Sequence, residues 1–283
     1  MKIPLQQIHQ IEITSRCNLR CKYCAHPTMT RAKVDMEWDI FRRAIEIAKF
    51  CQAAGSQGSL NLAGIGESTM HPQFVQMLAY AREHLGKQQE LVLATNGLLM
   101  TDALAQAMEP YRPKVFVSLH RPERAGPAVE ALKRVGLLAG VSADPSLAAT
   151  DWAGQVKWHV SAPRSACPWV KAGWGMVLSD GRITRCSFDS TGVGVIGHVN
   201  DAEQPYTSPY VLCKNCHQDV GVPFDEALPE GDTRTATSVL GAAAVGERTV
   251  SVAHITRRAD QPHSLVQNDS PARRAVHAAQ GKG

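Results

Sequence analysis

Apolar and polar positions alternate between two periods over residues 7 to 160, and the alternation itself predicts the architecture. "QIHQIEIT" has a period of two and reads as a strand, followed by a helical pattern in "MEWDIFRRAIEIAKFCQAAG". In that segment Trp38, Phe41, Ile45 and Ala48 fall on one face and Gly55 offers a stop. "SLNLAG" reads as a strand, and His71 to Leu85 as a helix with Pro72 in its first turn. The pattern repeats in "ELVLAT" with a helix from Asp102 to Met108, and in "KVFVSLH" with a helix from Ala125 to Leu138. A weaker pair, "GVSADPS" and a short helix, precedes a last strand in "QVKWHV". These are about six βα units, the signature of a parallel sheet covered by helices.

A closed eight-unit barrel needs about 250 residues. Six units therefore predict an α/β fold with a partial, open (β/α)6 TIM-like barrel over residues 1–163, with an open doubly wound sheet as the competing architecture. Either one places ligands at the carboxyl ends of the strands, where the unusual residues cluster. The cysteine loop follows the first strand, "GIGES" the second, "TNG" the third, and Ser118 to Arg121 the fourth.

Residues 164–222 change character. "WGMVLSDGRITRC" predicts a hairpin with Asp180-Gly181 as a two-residue turn, "GVGVIGHV" a further strand, and Cys213 and Cys216 close the segment. This predicts a small second domain built on a β-hairpin. From Pro223 to the last residue, 283, large apolar residues thin out and seven Lys/Arg balance seven Asp/Glu, the composition of a disordered tail.

The chain of 283 residues is 44% apolar, enough for one large core. Its net charge of +4 permits a nucleic-acid partner without arguing for one. No signal-peptide pattern opens the sequence and no run of about 18 apolar residues occurs, so a cytoplasmic protein with no membrane span is expected, in the host cytoplasm if it is viral. In a reducing compartment its eight cysteines read as ligands or thiols rather than disulfides. Cys51 sits in a helical apolar pattern and reads as a small core residue.

"RCNLRCKYCAHP" places Cys17, Cys21 and Cys24 in one loop. Three thiolates are an incomplete set for a cubane cluster, which normally takes four, and leave one iron open to a small molecule. Zinc, completed by His26, is the rival. Cys167, Cys186 and the Cys213-x2-Cys216 pair could form a second, four-thiolate site. A zinc ribbon would use the same four; "CKNCH" also matches a c-type haem attachment pattern, and a thioredoxin-like redox pair lacks its strand-helix context.

Cys17-x3-Cys21-x2-Cys24, with aromatic Tyr23 before the last cysteine, resembles the signature of radical S-adenosylmethionine (SAM) enzymes, and its place after the first strand of a βα series strengthens the resemblance. The resemblance spans roughly residues 7 to 160. It implies a [4Fe-4S] cluster on the three cysteines with SAM chelated to the open iron. It also implies reductive cleavage of SAM to methionine and a 5′-deoxyadenosyl radical, which takes a hydrogen from substrate. The family's Gly-Gly-Glu motif appears as Gly64-Ile65-Gly66-Glu67; the resemblance assigns Gly66 and Glu67 to SAM and leaves Gly64 unassigned, because one residue separates the glycines. Asn96 and Ser118 match positions that line the SAM pocket, although both also suit strand ends, and His120 is the candidate catalytic residue facing substrate.

The later four cysteines resemble the C-terminal SPASM or twitch extension of many such enzymes, which implies an auxiliary [4Fe-4S] cluster; a flavodoxin- or ferredoxin-type electron donor is the family expectation. For the substrate, compactness and the "HPTMTR" run resemble phage isomerases that convert N-linked to C-linked glycinyl-thymidine in hypermodified DNA. Arg31, Lys33, Arg164, Lys171, Arg182 and Arg185 could form a basic rim for phosphates. That isomerase is the favoured specific reading. The alternatives are an aminocyclitol or sugar dehydrogenase or epimerase, a peptide-modifying enzyme (disfavoured because the first strand begins almost at once, with no leader-binding domain), and a non-enzymatic zinc-binding nucleic-acid adaptor.

Overall fold

A computed structural model describes residues 5, 7–53, 58–142, 152–157, 167, 169, 172–201, 212–213 and 216. The tail expected from residue 223 onward lies outside them. The described strands form an eight-stranded sheet: β1 (Gln7–Ile11), β2 (Leu60–Asn61), β3 (Leu91–Thr95), β4 (Lys114–Ser118), β5 (Leu138–Ser142), β6 (Trp174–Val177), β7 (Arg182–Thr184) and β8 (Val195–His198). Their spatial order is β5-β4-β3-β2-β1-β6-β7-β8. Strands β1 to β6 pair in parallel and β6-β7-β8 antiparallel. The result is an open, mostly parallel α/β sheet, the partial barrel the βα repeat predicts.

Four helices connect the parallel strands: α1 (Trp38–Ala53), α2 (Phe74–Leu85), α3 (Asp102–Met108) and α4 (Pro122–Arg134). The helical face predicted for α1 buries Phe41, Ile45 and Ala48, with Cys51 in the same core. Ile8, Ile11, Leu60, Leu62, Leu91, Leu93, Val115 and Val117 meet that core from the sheet, so alternate strand positions supply one continuous apolar layer.

Two boundaries differ from expectation for local reasons. Helix α4 begins at Pro122, whose ring suits a first turn, and stops at Arg134, because Gly136 takes φ +67° and its N–H donates to Lys133 O. Leu138 thereby becomes the first residue of β5 instead of the end of a helix. The hairpin turn centres on Ser179 and Asp180. Gly181 N donates to Leu178 O at 2.9 Å and Leu178 N to Arg182 O at 2.8 Å, with Gly181 at φ +87° closing a three-residue loop. A side chain at Gly181 would also strike His198 Nε2 at 2.5 Å.

The larger difference concerns the sixth strand. Gln155–Lys157 form no strand, and residues 158–160 of "QVKWHV" lie outside the described residues. The strand beside β1 is instead β6, the first arm of the hairpin, with Gln7 opposite Trp174 and Ile11 opposite Val177. The sheet is therefore continuous from the βα units into the hairpin that precedes Cys186. No described helix is long and apolar enough to cross a membrane.

Phe41 is fully buried, so Phe41→Ala should cost about 3–5 kcal/mol in urea unfolding. Arg43→Ala, on the exposed face of the same helix, should stay within about 0.5 kcal/mol.

Candidate active site at the strand ends

The cysteine loop is pinched where it leaves β1. Thr14 and Asp35 form an antiparallel bridge, Ser15 N donates to Val34 O at 2.9 Å and Met36 N to Ile13 O at 2.8 Å. Thr14 Oγ1 donates to Asp35 Oδ1 at 2.6 Å and Arg16 pairs with Asp35 Oδ2 at 2.9 Å. Within this closed loop the cysteines lie at successive tight turns. Leu19 N donates to Cys17 Sγ and His26 N to Cys24 Sγ, each at 3.4 Å, so each sulfur accepts a backbone amide from two residues on. Burial raises the Cys17 thiol, and the Glu67 carboxylate and Cys21 add to the rise. Burial also pushes Cys24 up to about 11, with Cys17 and Cys21 contributing. The three thiols thus lie within one another's electrostatic reach, with Glu67 nearby.

His26 is buried, and its Nε2 faces Ser15 O at 3.1 Å. Burial lowers its pKa, helped by Lys33. Nε2 is thus committed to the base of the loop, while Nδ1 is buried with no hydrogen-bond partner among the described residues.

"GIGES" is fixed by close backbone approach. A Cβ on Gly66 would come within 2.2 Å of Thr14 O and 2.6 Å of Arg16 O, so only glycine lets this turn rest on the cysteine loop. Gly64, which the motif left unassigned, makes room for Glu12, whose Cγ would lie 2.3 Å from an added Cβ. Glu67 N donates to Arg16 O at 2.8 Å. Its buried carboxylate accepts from Thr69 N (3.2 Å), Thr69 Oγ1 (2.7 Å), Thr95 Oγ1 (2.7 Å) and Asn96 N (2.7 Å). Glu67 therefore locks the end of β3 to the turn after β2. Asn96 extends the lock: its Nδ2 donates to Asn18 Oδ1 at 2.7 Å, inside the cysteine motif, while its Oδ1 accepts from Leu98 N at 3.0 Å.

Tyr23 and His120 meet. The phenol hydroxyl lies 2.8 Å from His120 Nδ1 and the rings stack with centroids 5.7 Å apart. His120 N donates to Ser118 O at 2.8 Å, so half-buried Ser118 and His120 form one turn at the end of β4. Trp152 Nε1 donates to Tyr23 O at 3.1 Å. Every strand-end residue singled out from the sequence is thus brought to one rim.

The later cysteines also gather. Burial pushes Cys213 up to about 12, with Cys167 and Cys216 adding to the rise and Arg185 opposing it. Burial also raises Cys186, with Asp189, Cys213 and Cys216 contributing. Phe188 N donates to Cys186 Sγ at 3.4 Å, the same geometry seen at Cys17 and Cys24. Among the described residues no three His, Cys, Asp or Glu side chains converge tightly enough for a single metal ion.

Sequence reasoning missed three residues. Glu12 and Arg31 form a buried ion pair, with Arg31 Nη2 2.7 Å and 2.5 Å from the two carboxylate oxygens. Asp189, also buried, accepts from Gly192 N, Val193 N and Gly194 N, each at 2.9 Å, and from Thr184 Oγ1 at 2.9 Å. A single charge in an apolar stretch was the available signal for Glu12, while an aspartate before a glycine-rich run was the signal for Asp189. Arg31 was read instead as part of a basic rim; among the described residues, three of that rim's six cations are buried or paired and one is exposed. Arg31 and Arg185 are buried and Arg182 pairs with Asp180 at 2.7 Å. Lys33 is exposed, whereas Arg164 and Lys171 lie outside the described residues.

With the fold and rim in place, comparison with known proteins defines the class. Residues 11–162 match the Radical SAM superfamily, more than half the chain, and the protein belongs to it. It is 36% identical over 99 residues to the tungsten-containing aldehyde ferredoxin oxidoreductase cofactor-modifying protein of Pyrococcus furiosus, covering 35% of this chain and 26% of that one. It is 26% identical over 110 residues to GTP 3′,8-cyclase of Clostridium botulinum, covering 39% of this chain and 34% of that one. The match thus spans about a quarter to a third of these relatives' length. The crystal structure of BtrN in complex with AdoMet and 2-DOIA shares the fold, with a TM-score of 0.56 and 18% identity over 70% of this chain and 80% of that one. Membership in this superfamily means an enzyme with iron–sulfur and SAM chemistry.

Glu67→Gln would turn an amide N–H₂ toward a backbone N–H in either orientation, Thr69 N on one side or Asn96 N on the other. It should cost about 1–3 kcal/mol in thermal unfolding and loosen the β3 end, read as faster amide exchange at Asn96.

Proposed function

We propose that Cys17, Cys21 and Cys24 hold a [4Fe-4S] cluster whose open iron takes SAM, and that Cys167, Cys186, Cys213 and Cys216 hold a second [4Fe-4S] cluster. We further propose that the enzyme oxidises a small polar substrate. The observation that carries this reading is geometric: Cys17, Cys21 and Cys24 share one loop pinched at the end of β1, and Cys186 sits on the turn that rests against it. A single zinc ion with bonds of about 2.3 Å would draw its thiolates close together. A cluster would instead hold each thiolate on a different iron. The N–H···S contacts at Cys17, Cys24 and Cys186 fit a cluster, since hydrogen bonds to sulfur help set a cluster's potential.

When bound, the first cluster with SAM would supply radical chemistry for removing a substrate hydrogen atom, and the second cluster would supply an electron acceptor. The chain's own residues do the positioning. Gly66 lets the "GIGES" turn reach the SAM side of the loop, Glu67 and Asn96 hold that turn to the end of β3, and Ser118 lines the rim beside them. Tyr23, fixed by His120 and Trp152, presents an aromatic face next to Cys24. His120, touching Tyr23, stands where substrate would enter. A reductant is required, and a flavodoxin- or ferredoxin-type donor suits a low-potential cluster.

What supports this substrate class is the placement of three of the six cations expected at a phosphate-binding rim. Isomerisation of glycinyl-thymidine in duplex DNA calls for cations facing phosphates, and Arg31, Arg182 and Arg185 are engaged within the protein instead. An alcohol-bearing ring such as an aminocyclitol or sugar needs no such rim, and its oxidation uses a second cluster as electron acceptor.

Anaerobic purification should give brown protein with about eight irons per chain. A colourless zinc protein overturns the cluster reading. Cys17→Ala should abolish 5′-deoxyadenosine formation. Cys213→Ala should keep it while iron falls to about four per chain and substrate oxidation stops. With SAM and reductant, a polyol panel should yield one 5′-deoxyadenosine per oxidised product by mass spectrometry. Turnover of glycinyl-thymidine DNA with no polyol product overturns the substrate assignment.

A further inference from the structure

The turn after Cys186 rests directly on the loop that carries Cys17, Cys21 and Cys24. Arg31, at the far end of that loop, donates from Nε to Ser190 O at 2.7 Å and from Nη1 to Ser179 Oγ at 3.1 Å. Its Nη2 is held by Glu12, whose carboxylate also accepts from Ser179 N and Ile65 N, each at 3.0 Å. One buried ion pair therefore joins five segments: the end of β1, the cysteine loop, the "GIGES" turn, the hairpin leading to Cys186 and the turn after it.

A second contact runs parallel to the first. Trp152 Nε1 donates to Tyr23 O, and the Trp152 ring meets Phe188 edge-on at 5.8 Å. Gln155 Nε2 donates to Phe188 O at 2.5 Å and Gln155 Oε1 accepts from Ser190 Oγ at 2.6 Å. Ala25, Met29 and Ile65 form a small apolar cluster against Trp152, Val156 and Cys24. Asp189, gripping three successive amides and Thr184, keeps the 186–194 turn rigid so that a push at Ser190 reaches Cys186.

We infer that Glu12 and Arg31 are a positioning pair that fixes the separation and orientation of the two cysteine sites by clamping the Ser179 and Ser190 turns onto the SAM-side loop. The inference rests on the two-cluster reading for its consequence, but the clamp itself is a property of the chain. Arg31 suits the task because its planar fork spends different nitrogens on different segments, whereas a lysine offers one point charge. Burial makes the clamp stiff: breaking any contact would strand a charge or a carbonyl away from water.

The test compares reconstituted wild type with Arg31→Lys, which keeps a cation beside Glu12 but loses the reach to Ser179 and Ser190. Hydrogen-exchange mass spectrometry should show peptides covering 186–194 exchanging about tenfold faster, with β3 and β4 peptides unchanged. The magnetic interaction between the two reduced clusters, read by electron paramagnetic resonance, should change with their altered geometry. Ser179→Ala, removing one contact, should give a smaller change of the same kind. Unchanged exchange at 186–194, a rise shared equally by β3 and β4, or an interaction spectrum identical to wild type overturns the inference. Should wild type bind only about four irons per chain, the two-cluster reading fails, and the exchange pattern alone then decides the clamp.

Discussion

Arg31 and Glu12 meet away from water, and the rest of the rim is arranged around the need to satisfy them. Removing two charges from solvent costs several kcal/mol per ion, and only a full set of partners offsets it. Here the guanidinium finds Glu12, the Ser179 hydroxyl and the Ser190 carbonyl, and the carboxylate finds the Ser179 and Ile65 amides. Burial pushes the Glu12 carboxyl upward while Arg31 and those amides pull the other way. Gly64 exists as glycine because a side chain there would occupy the space of the Glu12 carboxylate.

A second lock, centred on Glu67, works on the neighbouring strand ends. Its carboxylate takes two hydroxyls and two amides, which ties the turn after β2 to the end of β3, and Asn96 carries the tie into the cysteine motif through Asn18. The two locks share the "GIGES" turn: Ile65 belongs to one and Glu67 to the other. Preorganisation of this kind is what a site for a reactive intermediate requires, because loops that are already held have little ordering left to do when the cofactor binds.

Continuity of the sheet gives the rim its reach. β6 pairs with β1 on the edge left open by the βα series, so the hairpin before Cys186 grows from the same sheet that carries the cysteine loop. A hinge between two independent domains would let the two thiol groups drift. A shared strand pair with a buried clamp above it does not.

Local chemistry made much of this legible in the residues alone. Period-two and period-3.6 apolar patterns define β1 to β4 and α1 to α3 to within a few residues, because each element must bury one face whatever its neighbours are. The cysteine spacing with Tyr23 carries the resemblance to the radical SAM signature, since all three thiols fall within one short loop. The sequence does not reveal which strand closes against β1, because "QVKWHV" and "WGMVLSD" are each compatible with a strand and only pairing chooses between them. Nor does it reveal the fate of Arg31 and Arg185. A charged side chain reads as solvated until the partners that let it be buried, more than a hundred residues away for Arg31, are folded against it. Composition and spacing determine which chemistry this protein carries; tertiary structure alone decides which charges hold its two thiol sites together.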